Sequence, residues 1–183
     1  MSKILQNKKV AIILAFRNFR DVEYFVPEDI LSSAGAEIFN VSLERGIAIG
    51  DEGGEVEIDF LAKDLKINDF DAVVFVGGAG MGQQLENEDL QQIARKTMAS
   101  GKVLGAICIA PALLAKAGVL AGRKATVWSG PLDKAAIKIL EEEGAQYQEK
   151  EVVIDKRLVT ASGPQAAQKF AQALIGVLTS FLG

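Results

Sequence analysis

The chain has 183 residues, 49% of them hydrophobic and 24% charged, with a net charge of −4, a single cysteine and no histidine. That length supports one domain over 1–183 with a substantial core, and the acidic balance offers no footprint for nucleic acid or an anionic membrane. One cysteine excludes an intrachain disulfide and fits a reducing, cytoplasmic setting, while the missing histidine excludes Cys-His and Ser-His dyads and histidine-ligated zinc. No metal is therefore expected, and any general base must be a carboxylate, the cysteine, a lysine or a tyrosine. Val10 to Phe16 is too short for a signal peptide, and no apolar run is long enough to cross a bilayer.

Lys8 to Phe16 reads as a strand buried on both faces. Asp21 is placed to cap a helix over Val22 to Ala34, with Glu23 in its first turn and Phe25, Val26, Ile30 and Leu31 as its apolar stripe. Pro27 should kink or restart that helix, and Gly35 should stop it. Glu37 to Leu43 makes a second strand. Gly46 to Phe60 alternates around Gly50-Asp-Glu-Gly-Gly54, the pattern of a hairpin outside the main sheet.

Asp71 to Val76 is another buried strand, running into Gly77-Gly78-Ala79-Gly80-Met81-Gly82. That glycine run has neither Walker nor dinucleotide spacing, and reads as a tight turn bringing backbone N–H groups close to a ligand. Leu90, Ile93, Ala94, Thr97 and Met98 follow helical spacing before Gly101. Arg123 to Trp128 is a strand, with Trp128 in the core or a pocket wall. Leu132, Ala135, Ala136, Ile139 and Leu140 mark a helix ending at Gly144. Glu151 to Ala161 holds two short strands around Asp155-Lys156, and Gly163-Pro164 opens a last helix with Phe170, Leu174, Leu178 and Phe181 inward.

Strands alternating with helices predict an α/β fold, with a mostly parallel sheet covered on both faces. Ligands bind such sheets beyond the carboxyl ends of the strands. Glu23, Gly77-Gly78 and Cys108 all fall there. Val103 to Ile107 is a buried strand, and Pro111 suits the first turn of the helix that follows, so Cys108 lies at a strand-to-helix elbow. Free N–H groups and the helix dipole there favour thiolate; the competing reading is a buried structural cysteine. Glu23 by itself reads as a first-turn acid favoured by the dipole.

Ala106-Ile-Cys108-Ile-Ala-Pro111, with Gly118-Val-Leu-Ala-Gly-Arg-Lys-Ala-Thr126 after it, resembles the nucleophile elbow of the ThiJ/PfpI superfamily. Glu23 with Pro27 four residues on, Phe75-Val-Gly-Gly-Ala-Gly80 and Leu158-Val-Thr-Ala-Ser-Gly-Pro164 extend the resemblance from about Lys8 to the C-terminus. It implies a flavodoxin-like three-layer sandwich and a homodimer. It makes Cys108 the nucleophile and Glu23 its partner, with the N–H groups of Gly78 and Ile109 as an oxyanion hole and Gly77, Ala79, Ala110 and Trp128 around the pocket. Ile109 stands where PfpI-type peptidases carry histidine, Ala110 replaces the usual glycine, Val127-Trp128 fills another histidine region, and Ser162 replaces a common arginine.

The resemblance therefore points away from peptidase chemistry. It leaves a cofactor-independent glyoxalase or deglycase acting on a small aldehyde through Cys108 and Glu23, or a redox sensor or chaperone in which an oxidant modifies Cys108. An isocyanide hydratase ranks lower, because those relatives place aspartate where Glu23 stands.

Overall fold

The structure is a computed structural model and describes residues 3–180. In chain order the regular elements are β1 (Lys9–Ile13), β2 (Arg17–Phe19), α1 (Asp21–Ser33), β3 (Glu37–Ser42), β4 (Ile47–Gly50), β5 (Glu55–Glu57) and β6 (Phe60–Leu61). They continue as β7 (Ala72–Phe75), α2 (Ala79–Gly82), α3 (Glu88–Ala99), β8 (Val103–Ile107), α4 (Ala110–Lys116), β9 (Lys124–Ala125) and α5 (Ala135–Glu142). Last come β10 (Gln146–Tyr147), β11 (Val152–Asp155), β12 (Leu158–Ala161) and α6 (Ala167–Ser180).

Seven strands form one sheet in the order β11-β12-β8-β7-β1-β3-β6. Every pairing in it is parallel except β11 with β12. Because successive side chains of a strand face opposite sides, the central strands feed two cores. Ala11, Ile13, Val73, Phe75 and Leu104 pack with α3, α4 and α5 residues such as Ile93, Leu113 and Leu140. Val10, Ile12, Val74 and Ile107 pack on the other face with Leu31 of α1 and with Phe170 and Leu174 of α6. This is the expected α/β sandwich of three layers, and it explains why those strands are continuously apolar.

The hairpin expected outside the main sheet is present: β4 pairs antiparallel with β5, and β2 joins them. Gly35 has φ +104 and lies just past α1.

Several local expectations change. Arg20, not Asp21, is the N-cap residue of α1. The Asp21 carboxylate reaches across to accept from the Glu52 and Gly54 N–H groups at 2.9 and 2.7 Å, so a tertiary turn has taken it from its own helix.

Helix α1 runs unbroken through Pro27, so of the kink or restart expected there the restart does not occur. Its buried face is Glu23, Tyr24, Pro27 and Leu31, while Phe25 is exposed.

The strand expected over Arg123 to Trp128 contracts to Lys124–Ala125. Beyond it the Thr126 N–H donates to the Thr160 hydroxyl of β12 at 3.0 Å and the Trp128 N–H to the Cys108 carbonyl at 2.8 Å, so these residues hang from a side chain and from the elbow and not from a ladder.

Leu132 precedes α5 and is fully exposed, and Pro164–Ala166 forms a short 3-10 turn before α6. Phe170, Leu174 and Leu178 are buried as expected; Phe181 lies outside the described residues.

Candidate active site

The strand order β3-β1-β7-β8-β12 places its switch point between β1 and β7, whose carboxyl ends lie beside that of β8. Chain segments leaving these three ends build one cleft of about 560 Å³, lined among others by Arg20, Glu23, Gly78, Ala79, Cys108 and Trp128.

Cys108 follows β8 directly and has φ +63, a left-handed backbone rare outside glycine. The surroundings hold it there. Its N–H donates to the Ala161 carbonyl at 2.9 Å, at the end of β12, and its own carbonyl accepts from Trp128. Pro111 then starts α4 without needing a donor, so the chain can turn sharply and leave the thiol half-buried at the apex.

Glu23 reaches the same point from α1 and is completely buried. Its carboxyl faces the Cys108 thiol and the Gly77 N–H, yet neither oxygen completes a hydrogen bond. Gly77 makes the meeting possible: a Cβ there would lie 2.5 Å from Glu23 Oε2 and 2.6 Å from Cys108 Cβ. Gly78, at φ +111, carries the chain past the Arg20 N–H, which donates to the Gly77 carbonyl at 3.1 Å and ties α1 to the end of β7.

Burial pushes the Glu23 carboxyl up to about 7; the nearby thiol, the Gly77 N–H and the Arg20 charge only partly offset that desolvation. Burial also pushes the Cys108 thiol well above its ordinary range, and the negative charge of Glu23 pushes it further. The N–H groups of Ile109 and Gly78 act in the opposite direction, favouring thiolate.

Position at a helix start therefore does not by itself yield a thiolate. The seven-residue helix α4 is outweighed by desolvation and by a facing acid. When Glu23 carries the proton its repulsion disappears, and the Ile109 and Gly78 donors remain. The two acids therefore face one another beside a pair of anion donors, and the charge on one raises the proton affinity of the other.

The sequence-expected residues largely converge. Cys108, Glu23, Gly78, Ile109, Ala79 and Trp128 all line the cleft. Gly77 is buried against the Glu23 and Cys108 side chains and Ala110 is fully buried behind the elbow, so these two, expected at the pocket, lie outside its lining.

Arg20, Asp51 and Gln165 were not anticipated. The Arg20 guanidinium donates to Asp51 at 2.9 Å, joining the mouth of the cleft to the turn that Asp21 clamps. Asp51 sits in a glycine-rich turn, a signal that marks a bend and not a partner. Among the described residues no group of three or more histidine, cysteine or acidic side chains is arranged to hold a metal ion, and no helix is long and apolar enough to cross a membrane.

A mostly parallel sheet with a strained cysteine elbow, a buried acid against the sulfur and two backbone donors beside it defines an α/β protein with its cysteine at a strand-to-helix elbow. Residues 8–176 match the DJ-1/PfpI family, and the chain belongs to that family.

Among its relatives, a protein named deglycase PfpI from Pyrococcus furiosus is 33% identical over 153 residues, 84% of this chain and 89% of that one. General stress protein 18 of Bacillus subtilis is 32% identical over 175 residues, 93% of this chain and 98% of its own. The crystal structure of a ThiJ/PfpI domain protein from Brachyspira murdochii superposes with a TM-score of 0.91 at 31% identity, covering 96% of this chain and 99% of the other.

Proposed function

We propose that this protein is a cofactor-independent enzyme of the glyoxalase or deglycase type, acting on methylglyoxal or on glycated groups through Cys108 and Glu23. The observation that carries the reading is the fully buried Glu23 carboxyl against the thiol, with its pKa raised to about 7. An acid with such a pKa gives and takes protons at neutral pH, the role a histidine would otherwise fill in this histidine-free chain.

In the proposed sequence Glu23 accepts the thiol proton and the sulfur adds to the aldehyde carbon of methylglyoxal. The resulting oxyanion is met by the Gly78 and Ile109 N–H groups, and preorganised donors of this kind contribute roughly 3 kcal/mol each in well-studied enzymes. Glu23 returns its proton to that oxyanion, giving the neutral hemithioacetal. As a carboxylate again, it moves a proton from the former aldehyde carbon to its neighbour while the hydroxyl proton passes to the former ketone oxygen, leaving a thioester. Water cleaves the thioester, releasing lactate and the free thiol. The aldehyde carbon is oxidised as the ketone carbon is reduced, so no outside electron acceptor is needed.

The test is lactate formation from methylglyoxal by purified wild type and Cys108→Ser. Turnover lost in the variant supports the reading; no turnover, or equal turnover, refutes it. The relative named deglycase PfpI lends it support, and the homodimer and the cytoplasmic setting belong to the same proposal.

A second reading rests on the half-buried sole cysteine, which has no second thiol to form a disulfide with. Mild peroxide would take it to sulfenate or sulfinate, giving a redox sensor or chaperone switch. Intact mass after peroxide separates the two readings, since the sensor requires added oxygen on Cys108 at doses that leave methionine unmodified.

A further inference from the structure

Trp128 is a ridge between two hollows. One side lines the catalytic cleft, and the other lines a second cleft of about 360 Å³; Gln165 also belongs to both. We propose that this second cleft is a subsite for the polyhydroxylated tail of a sugar-derived 2-oxoaldehyde whose reactive carbonyls lie at Cys108. The proposal rests on the glyoxalase reading for its chemistry, though not for binding.

The polar groups of the second cleft suit hydroxyls better than ions. Thr126, Ser129, Tyr147 and Ser162 supply four hydroxyl groups; those of Ser129 and Tyr147 bond one another, and each keeps further capacity toward a ligand hydroxyl. Thr126 is almost wholly buried and its Oγ1 meets no partner, so the wall contains an unused hydrogen-bonding group. Charge does not select an ion there: Glu149 and Lys150 oppose one another, and Lys169 donates to Glu151.

Trp128, about a third exposed, offers the apolar surface against which the C–H groups of a polyol chain pack. Methylglyoxal has only a methyl group beyond its two carbonyls and cannot cross this ridge. A longer chain can, and it keeps the same balanced reaction: water enters, the terminal aldehyde carbon is oxidised and the adjacent ketone reduced. The hydroxylated tail takes no part in the chemistry.

Trp128 is also the only tryptophan in the chain, so its emission reports on this boundary directly. Sorbitol, a polyol without a carbonyl, is titrated against wild type and Cys108→Ser, with calorimetry as a second measure of binding. Saturable binding is expected in both. Ser129→Ala and Tyr147→Phe, which touch only the second cleft, should weaken it about fivefold or more each, the value of one lost hydrogen bond, while unliganded emission stays unchanged.

In kinetics, kcat/KM for 3-deoxyglucosone should exceed that for methylglyoxal about tenfold, and Ser129→Ala should reduce only the former. Absence of saturable sorbitol binding by both measures, or binding untouched by both variants, overturns the subsite. Binding that follows the variants, with neither aldehyde turned over, refutes the catalytic reading and leaves the subsite standing.

Discussion

The Glu23 carboxyl and the Cys108 thiol face one another over Gly77, where a Cβ would lie within 2.6 Å of both side chains. The acid is fully buried and the thiol half-buried, so each controls the other's proton. Most properties of the site follow from that pair.

The alkylation rate of Cys108 against pH should rise in two stages in wild type. The first lies near pH 7, as the pair loses its first proton, and the second far higher, as Glu23 and the thiol both become charged. Glu23→Gln removes the repelling charge. It should show a single transition below the upper wild-type one, and superimposable profiles would dissolve the pair.

Stability carries the same signature. Glu23 has a raised native pKa, so between about 4.5 and 7 the native state holds more protons than the unfolded chain, and stability falls as pH rises. A shift of that size is worth about 3 kcal/mol once complete. Glu23→Gln carries no buried charge and should be more stable than wild type at pH 8, with the difference vanishing near pH 4. Urea denaturation at the two pH values measures this, and equal gaps at both would contradict it.

Gly77→Ala should cost both stability and reactivity. The new methyl group meets Glu23 Oε2 at 2.5 Å, Cys108 Cβ at 2.6 Å and the Ile107 carbonyl oxygen at 2.9 Å, and the last two are fixed by the backbone of the elbow. Overpacking of this kind costs about 1–3 kcal/mol, and Cys108 alkylation near neutral pH should slow as Glu23 is displaced. A variant with wild-type urea midpoint and alkylation rate would show that the approach is looser than these distances.

Asp21 is the clamp on the turn that carries Asp51 to the mouth of the cleft. Asp21→Ala removes a charged acceptor from two backbone donors and should destabilise by about 2–3 kcal/mol. Hydrogen exchange at the Glu52 and Gly54 amides should quicken more than at strand β1. Uniform change across the chain would mean that Asp21 only supports the fold.

Much of this was readable from residue order alone. The buried strands, the hairpin around Gly50 to Gly54, the turn at Asp155-Lys156 and the elbow between Ile107 and Pro111 each announce themselves through local pattern, because backbone preference and the alternation of apolar residues act over a few positions. The absence of histidine likewise restricts the acid–base chemistry on composition alone.

The orientation of Glu23 was harder to read. Taken locally it is a first-turn acid, and the apolar stripe counted through Phe25 and Ile30 turns the helix slightly the wrong way. The buried face runs through Glu23, Pro27 and Leu31 at four-residue spacing. That spacing was present in the chain, but a charged residue is not counted toward an apolar face. Only the glycine opposite makes the inward position habitable.

Protonation of the cysteine was decided at the same level. Local order places Cys108 at a helix start and argues for thiolate, whereas the fold buries it and sets a carboxyl against it, and desolvation with a facing acid outweighs a two-turn helix. Trp128 standing between two clefts is also a matter of packing, since one cleft is lined by residues of α1 and α2 and the other by Tyr147 of β10 and the Glu149 to Glu151 loop. Sequence order determined which residues could react; tertiary packing determined where their protons reside, because burial and through-space charge depend on neighbours that the chain brings together only when folded.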